Sequence, residues 1–218
     1  MSLATERRHA ASVWVRTGSF LQRALRVELS IYANIGRFIA RRPAIPREAA
    51  GFGYHRPVLT VLVIFIVLSA VEIPIVDLIV HRWPAVRIGF LVLGIWGVTW
   101  MFGLLCAYLM RPHTVGREGI RVRQGLEIDL PLTWNDIASV ARVKRVDEPK
   151  SPRILETEAG RTLAFRMQDE TVIEIELERP TIVRLPGHPP KGGDQEITAV
   201  RIWVDDPKAF MDEVRKHL

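Results

Sequence analysis

Two apolar runs of 23 residues, Val58–Val80 and Ile88–Met110, constrain the fold of this chain more than any other feature. As α-helices each would be about 34 Å long, which is enough to cross a hydrocarbon core of about 30 Å. Neither run carries the polar stripe at helical period that a soluble helical hairpin needs. Only seven residues separate the runs, so residues 57–110 are predicted to form a transmembrane hairpin of two antiparallel helices.

Positive charge is concentrated outside this hairpin. Residues 1–56 carry ten arginines against three acids, whereas residues 57–110 have no net charge and residues 111–218 have a net charge of −1. Arginines before the first run and after the second outnumber the two in the connecting loop, which predicts that both termini face the cytoplasm. We therefore expect a multi-pass protein of the plasma membrane. Because the basic excess is confined to one segment, no nucleic-acid partner is expected.

Four polar residues in or beside the apolar runs are candidates for an intramembrane role: Glu72, Asp77, His81 and Thr99. Asp77 lies about 6 Å from the loop and has His81 at i+4, so this pair is expected at the outer interface. Glu72 lies about 13 Å from the loop, where a charge costs roughly 3 kcal/mol. We interpret Glu72 either as a protonated group bonded to Thr99 or to a second copy, or as a functional acid.

Small residues repeat at four-residue spacing on the second run, at Thr99, Gly103 and Ala107. Such a ridge allows close approach of another helix, although small residues are common in membrane spans generally. The single cysteine, Cys106, lies in the same run and excludes an intramolecular disulfide. It is interpreted as a small packing residue.

Residues 19–42 are predicted to form a basic amphipathic helix within a cytoplasmic segment of residues 1–56. Its apolar side is formed by Leu21, Leu25, Tyr32, Ile35 and Ile39, and its basic side by Arg23, Arg26, Arg37 and Arg41. Such a helix is expected on the anionic cytoplasmic leaflet, with docking on the soluble domain or on a partner as alternatives. Glu28 falls on the apolar side, so it must be paired or the helix must break there. Residues 43–57 contain three prolines and are predicted to be a linker.

Residues 111–218 form a different kind of domain, because short segments with period-two alternation replace the apolar runs. GIRVRQG and LEIDLPL, residues 119–125 and 126–132, are predicted to pair as a tight hairpin. Asp206 and Pro207 are typical of the N-cap and the first position of a C-terminal helix. About seven strands followed by one helix would fit a small antiparallel barrel that the helix closes.

This order of elements resembles the bacterial pleckstrin-homology-like (PH-like) domains of small membrane proteins, in which two spans precede the barrel. The resemblance covers residues 57–218 and rests on Arg111–Pro112, residues 115–125, Ile128–Leu132, Trp134–Val140, and Val204–Pro207 with Phe210. It implies a membrane α plus all-β chain: a two-helix transmembrane hairpin, then a cytoplasmic seven-stranded antiparallel barrel capped by a C-terminal helix. No catalytic signature comes with this resemblance.

Basic residues of the C-terminal domain cluster where the membrane would be nearest. They are Arg111, Arg117, Arg121, Arg123, Arg142 and Lys144. Each such side chain near an anionic leaflet contributes about 1 kcal/mol to lipid binding. Acidic residues at 174, 176 and 178 share one face of a predicted strand. We therefore expect either a domain with a basic side toward lipid and an acidic side toward the cytosol, or ordinary solvated strand faces.

No known catalytic motif is found, so we expect no enzymatic activity, no cofactor and no metal site. The preferred hypothesis is a non-enzymatic, membrane-anchored PH-like interaction module that recruits a protein partner or self-associates at the inner face of the membrane. A second hypothesis is an anionic-lipid-sensing or envelope-stress accessory protein. A third is a subunit of an oligomeric transport or proton-coupled complex that uses Glu72.

Overall fold

The computed structural model describes residue 22 and residues 24–146, 148, 150, 153–157, 160–186 and 192–218. Leu21 and Arg23 of the predicted N-terminal helix lie outside the described residues. The helices of the described part are α1 (24–39), α2 (Arg56–Ile79), α3 (Pro84–Met110) and α4 (Pro207–Val214). The strands are β1 (Ala49–Phe52), β2 (His113–Gly116), β3 (Gly119–Gln124), β4 (Ile128–Thr133), β5 (Ile137–Arg145), β6 (Arg153–Thr157), β7 (Gly160–Phe165), β8 (Thr171–Leu185) and β9 (Gly193–Ile202).

Helices α2 and α3 coincide with the two apolar runs to within a turn. Both are long and apolar enough to cross a membrane, by length and composition. They pack against each other in antiparallel orientation. A Cβ on Gly94 would touch Ile73, and Arg87 bonds to Asp77 nearer the loop, so later residues of α2 lie beside earlier residues of α3. No residue of α2 is buried, because its long apolar surface meets α3 on one side only. The two helices thus present most of their apolar side chains to the surroundings.

Helix α1 packs against α3, a location that the sequence did not indicate. Its buried residue Ile31 lies against Gly103, where any Cβ would collide with the Ile31 side chain. The rings of Phe38 and Phe102 meet edge to face with centroids 5.9 Å apart. Beyond the helix, the backbone N–H of Ala44 donates to the carbonyl of Met110. The small-residue ridge therefore allows close approach of α1 rather than of α2.

The strands form two sheets, ordered β1-β2-β3-β4 and β5-β8-β9-β7-β6. Neighbouring strands are antiparallel except β7 and β9, which pair in parallel. The described part thus differs from the predicted seven-stranded antiparallel barrel in having nine strands, one parallel pair and two separate sheets. One extra strand, β1, comes from the predicted linker, because residues 49–52 pair with residues 113–116 of β2.

Alternation along the strands builds the core between the sheets and α4. In the predicted hairpin of β3 and β4, Ile120 and Val122 are fully buried, and Gly125 takes the left-handed conformation that the short turn needs, with φ of 56°. Asp206 caps α4 as predicted, accepting a hydrogen bond from the backbone N–H of Ala209. Phe210 of α4 is fully buried and completes the core.

Candidate functional site

The acid nearest the connecting loop is neutralised within the helix pair. The Arg87 side chain donates two hydrogen bonds to the Asp77 carboxylate, at 2.6 and 2.8 Å. His81, the partner expected at i+4, instead has Nδ1 2.7 Å from the carbonyl O of Leu78. Arg87 was missed because it lies ten residues along the chain and only the antiparallel packing brings it to Asp77.

Glu72 has a different environment. Its side chain is exposed on α2, and within the described part of the chain it forms neither a hydrogen bond nor an ion pair. Thr99, the partner that the sequence suggested, donates its hydroxyl proton to the carbonyl of Ile95 on its own helix, at 2.8 Å. The structure therefore does not bring Glu72 and Thr99 together as a bonded pair. Two of the expectations for Glu72 remain, contact with a second copy and a role as a functional acid.

Glu28 has the pairing partner that an unbroken helix requires. Its Oε1 accepts hydrogen bonds from the indole N–H of Trp96 on α3, at 3.0 Å, and from the hydroxyl of Tyr32, at 3.1 Å. Helix α1 continues through this position without interruption. Glu28 thus helps to fix α1 on α3, and its place on the apolar side follows from that contact.

The basic side of α1 is exposed. Arg26 and Arg37 are exposed, and Arg41 follows the end of the helix with a φ of 52°. Next to them lies an apolar surface that α3 does not cover. It is formed by Leu25, Leu29, Tyr32 and Ile39. The expectation was a helix on the membrane surface, or one docked on the soluble domain or on a partner. Helix α1 instead packs on α3, and it still exposes a basic and an apolar face.

Two of the predicted basic residues instead form a joint where the helices meet the first sheet. Arg123 is 5% exposed and donates to the carbonyl oxygens of Ala44 and Pro112. Arg111 donates to the carbonyls at the β3–β4 turn, at 3.0 Å to Gly125 and 2.5 Å to Leu126. Because both guanidiniums are occupied by backbone groups, this joint gives them little contact with any outside surface.

One carboxylate, Asp129, interacts with Arg111, Arg121 and Arg123 in the joint. Arg121 donates to it at 2.5 and 3.0 Å, and Arg123 approaches at 3.4 Å. Burial opposes ionisation, but the hydrogen bond from Arg121 and the charges of Arg123 and Arg111 hold the pKa of Asp129 below its ordinary value. A carboxylate so surrounded stays charged and fixes the three side chains in place.

Asp205 ties the beginning of α2 to the second sheet. Its carboxylate accepts from the backbone N–H groups of His55, at 3.1 Å, and Arg56, at 3.2 Å. It therefore caps α2 from a distant part of the chain and lies at the positive end of the helix dipole. Gln168 adds a second link by donating to the carbonyl of Pro57 at 2.8 Å. Both long helices are thus anchored to the sheets at their sheet-proximal ends.

His113 and Tyr54 fill the centre of the joint. His113 accepts from the backbone N–H of Arg123 at Nδ1, 3.0 Å away, and its Nε2 lies 3.2 Å from the carbonyl O of Trp203. The Tyr54 ring packs on it with centroids 4.6 Å apart. Burial lowers the pKa of His113 to about 4, so the imidazole is neutral at neutral pH. Burial likewise raises the pKa of Tyr54.

The remaining charges do not separate into a basic and an acidic side. Strand β5, which carries the basic residues, pairs directly with the acidic strand β8. Lys144 lies 3.0 Å from Glu170, and Arg145 lies 3.3 Å from Glu174. Arg117 and Arg142 are exposed. The expected division of charge is therefore wrong for this part of the domain, because Lys144 and Arg145 of β5 pair with acidic residues on β8 or next to it.

A buried ion-pair network on the second sheet was also missed. Arg201, 8% exposed, lies 3.2 Å from the carboxylate of Glu148 and 2.9 Å from that of Glu174. Thr171 donates to Glu148 at 3.3 Å. Alternation places Arg201 and Glu174 on the polar side of their strands, and Glu148 lies outside the strands, so only the three-dimensional structure shows that the three residues lie together.

The described side chains form no metal centre, and no known relative assigns a role to them. Within the described ranges, no group of three or more His, Cys, Asp or Glu side chains could hold a metal ion. No family model, no curated protein and no solved structure matches the chain. The candidate functional site is therefore the pair of exposed helix charges, Arg26 and Glu72, which have no partner among the described residues.

Proposed function

We propose that this chain is a non-enzymatic, membrane-anchored interaction module that self-associates through its helices at the inner face of the plasma membrane. The observation that carries the proposal is the exposed Glu72 on α2, which has no partner among the described residues. A charge facing lipid at that depth costs roughly 3 kcal/mol, and a second polypeptide that supplies a partner removes the cost.

The proposed topology is multi-pass with both termini in the cytoplasm. It is supported by the arginines that flank the two apolar helices, against only Arg82 and Arg87 at the connection between them. Of these two, Arg87 is already paired with Asp77. The relationship to bacterial PH-like membrane proteins belongs to the same proposal. Its support is the order of elements, from two apolar helices through strands to one capped C-terminal helix.

The two alternative functions have less support. Lipid sensing would use the basic residues of α1 and of the C-terminal domain. Arg26 and Arg37 of α1 are exposed, but Arg111 and Arg123 are occupied in the joint and Arg121 bonds to Asp129. Proton-coupled transport would need several copies around Glu72, since two apolar helices do not enclose a path by themselves. Self-association is thus required by the transport hypothesis as well and is the more economical proposal.

Co-purification of two differently tagged copies from the same membranes tests the proposal. We expect wild-type copies to co-purify after extraction in mild detergent, and Glu72→Leu to reduce their recovery at least fivefold. Val71→Leu is the matched control, because Val71 is an exposed apolar neighbour on the same helix. Recovery of one tagged copy without the other, whether or not another protein accompanies it, would overturn the proposal.

A further inference from the structure

Helices α1 and α2 lie on opposite sides of α3. Gly94 of α3 meets Ile73 of α2, and Gly103 of α3 meets Ile31 of α1. Nine residues separate the two glycines, and at 100° per residue they face directions about 180° apart. The outer faces of α1 and α2 are therefore two different surfaces of one molecule, each available to a neighbour.

Each outer surface carries an exposed charge, and the two charges have opposite sign. Arg26 precedes Ile31 by five residues and so points about 140° away from α3. Glu72 adjoins Ile73 and points about 100° away from α3 on the other side. Both side chains are exposed, and neither forms a hydrogen bond or ion pair with another described residue.

The two charges also lie at the same level along α3. Glu72 is one residue from Ile73, which meets Gly94. Arg26 is two residues from Glu28, which bonds to Trp96. The two positions therefore differ along the helix axis by no more than about 5 Å, one helical turn. The length of an arginine side chain spans such a difference.

We propose that Glu72 of one copy pairs with Arg26 of a second copy, so that copies assemble head to tail through the outer faces of α2 and α1. This inference rests on the proposed self-association and names its contact. An arginine–carboxylate pair with two hydrogen bonds would neutralise both charges in the apolar environment. Leu25 and Leu29, exposed beside Arg26, supply apolar surface for the same contact.

The geometry also sets the kind of assembly. A two-fold dimer uses one self-complementary patch on each copy, whereas Arg26 and Glu72 lie on opposite sides of α3. Their pairing is heterologous, and a heterologous contact closes only as a ring of three or more copies or continues as an open chain. The full-length protein is therefore expected to be larger than a dimer in its membrane.

A charge exchange in the full-length protein tests this pairing, with subunit number measured by mass photometry of particles extracted in native lipid. We expect Glu72→Gln and Arg26→Gln each to reduce the fraction of particles with three or more copies at least fivefold. The exchange Glu72→Arg with Arg26→Glu in one chain should restore at least half of it. Arg37→Gln is the matched control, because Arg37 is also exposed on α1 but lies eleven residues nearer the sheets.

The outcomes separate this inference from the proposed function. If wild-type particles contain a single copy, both are overturned. If assemblies form but the neutral variants leave them unchanged, only the Arg26–Glu72 contact is overturned. The same holds if the exchange fails to restore the assemblies although the exchanged chain is inserted in the membrane at the wild-type level. An assembly of two copies that depends on both residues would overturn the head-to-tail arrangement, since it requires a two-fold contact.

Discussion

Charged side chains are paired in the joint at the sheet-proximal end of the helices, whereas on the outer faces of the helices they are exposed. In the joint, Arg123 is bonded to backbone carbonyls and Asp129 is bonded to arginines. On the outer faces, Arg26 and Glu72 are exposed and have no partner among the described residues. Charge in the joint therefore contributes to folding stability, whereas Arg26 and Glu72 are the charges that we propose for assembly.

The largest effect is expected from removing the arginine at the centre of the joint. Arg123→Ala would leave two carbonyls and part of Asp129 without a donor in a buried place, so we expect a loss of about 4 kcal/mol in the free energy of unfolding. Denaturant unfolding of the detergent-solubilised chain, followed by tryptophan fluorescence, measures it. Arg117→Ala is the control, since exposed Arg117 should change stability by less than about 0.5 kcal/mol. Equal effects would remove the distinction between the two regions.

Acid should weaken the joint through His113. The unfolded chain protonates this imidazole near pH 6.5, whereas the folded protein does so only near pH 4. Between these values the unfolded state binds more protons, so stability falls as the pH drops from 6.5 to about 4, by about 3 kcal/mol in all. Unfolding curves at several pH values check this slope. His113→Gln should flatten it and His81→Gln should not; the same slope in all three proteins would contradict the assignment.

A smaller effect is expected where α1 meets α3. Gly103→Val would force Ile31 away and cost about 2 kcal/mol, because no space exists for the added side chain. Gly97→Val on the same helix is the control, since a Cβ there meets nothing within 4 Å. Hydrogen exchange of the α1 amides measures the effect, and we expect faster exchange in the Gly103 variant alone. Unchanged exchange in both variants would mean that α1 does not depend on this contact.

Local signals in the sequence predicted part of the fold well. The apolar runs predicted α2 and α3, and Gly125 predicted the β3–β4 turn. Asp206 and Pro207 predicted the start of α4. In each case the decisive interactions lie within a few residues or depend on composition alone. Such features do not require knowledge of what packs against them.

Features that depend on a distant partner were not predicted. The four residues of β1 become a strand only by pairing with β2, more than 60 residues later. Arg123 was expected near the membrane surface, but it is buried and donates to the carbonyl of Ala44. The amphipathic pattern of α1 indicated an apolar face without naming α3 as its neighbour. Of the candidate site, the sequence supplied Glu72 and Arg26 but not their opposite positions around α3.

Glu72 is proposed to be covered by a second copy rather than by lipid. A photoreactive benzophenone amino acid at Leu68, an exposed position one turn from Glu72, tests it directly in native membranes. We expect an adduct with the mass of two chains, in which mass spectrometry places the cross-link on α1 of the second copy. Adducts with lipid alone would contradict it.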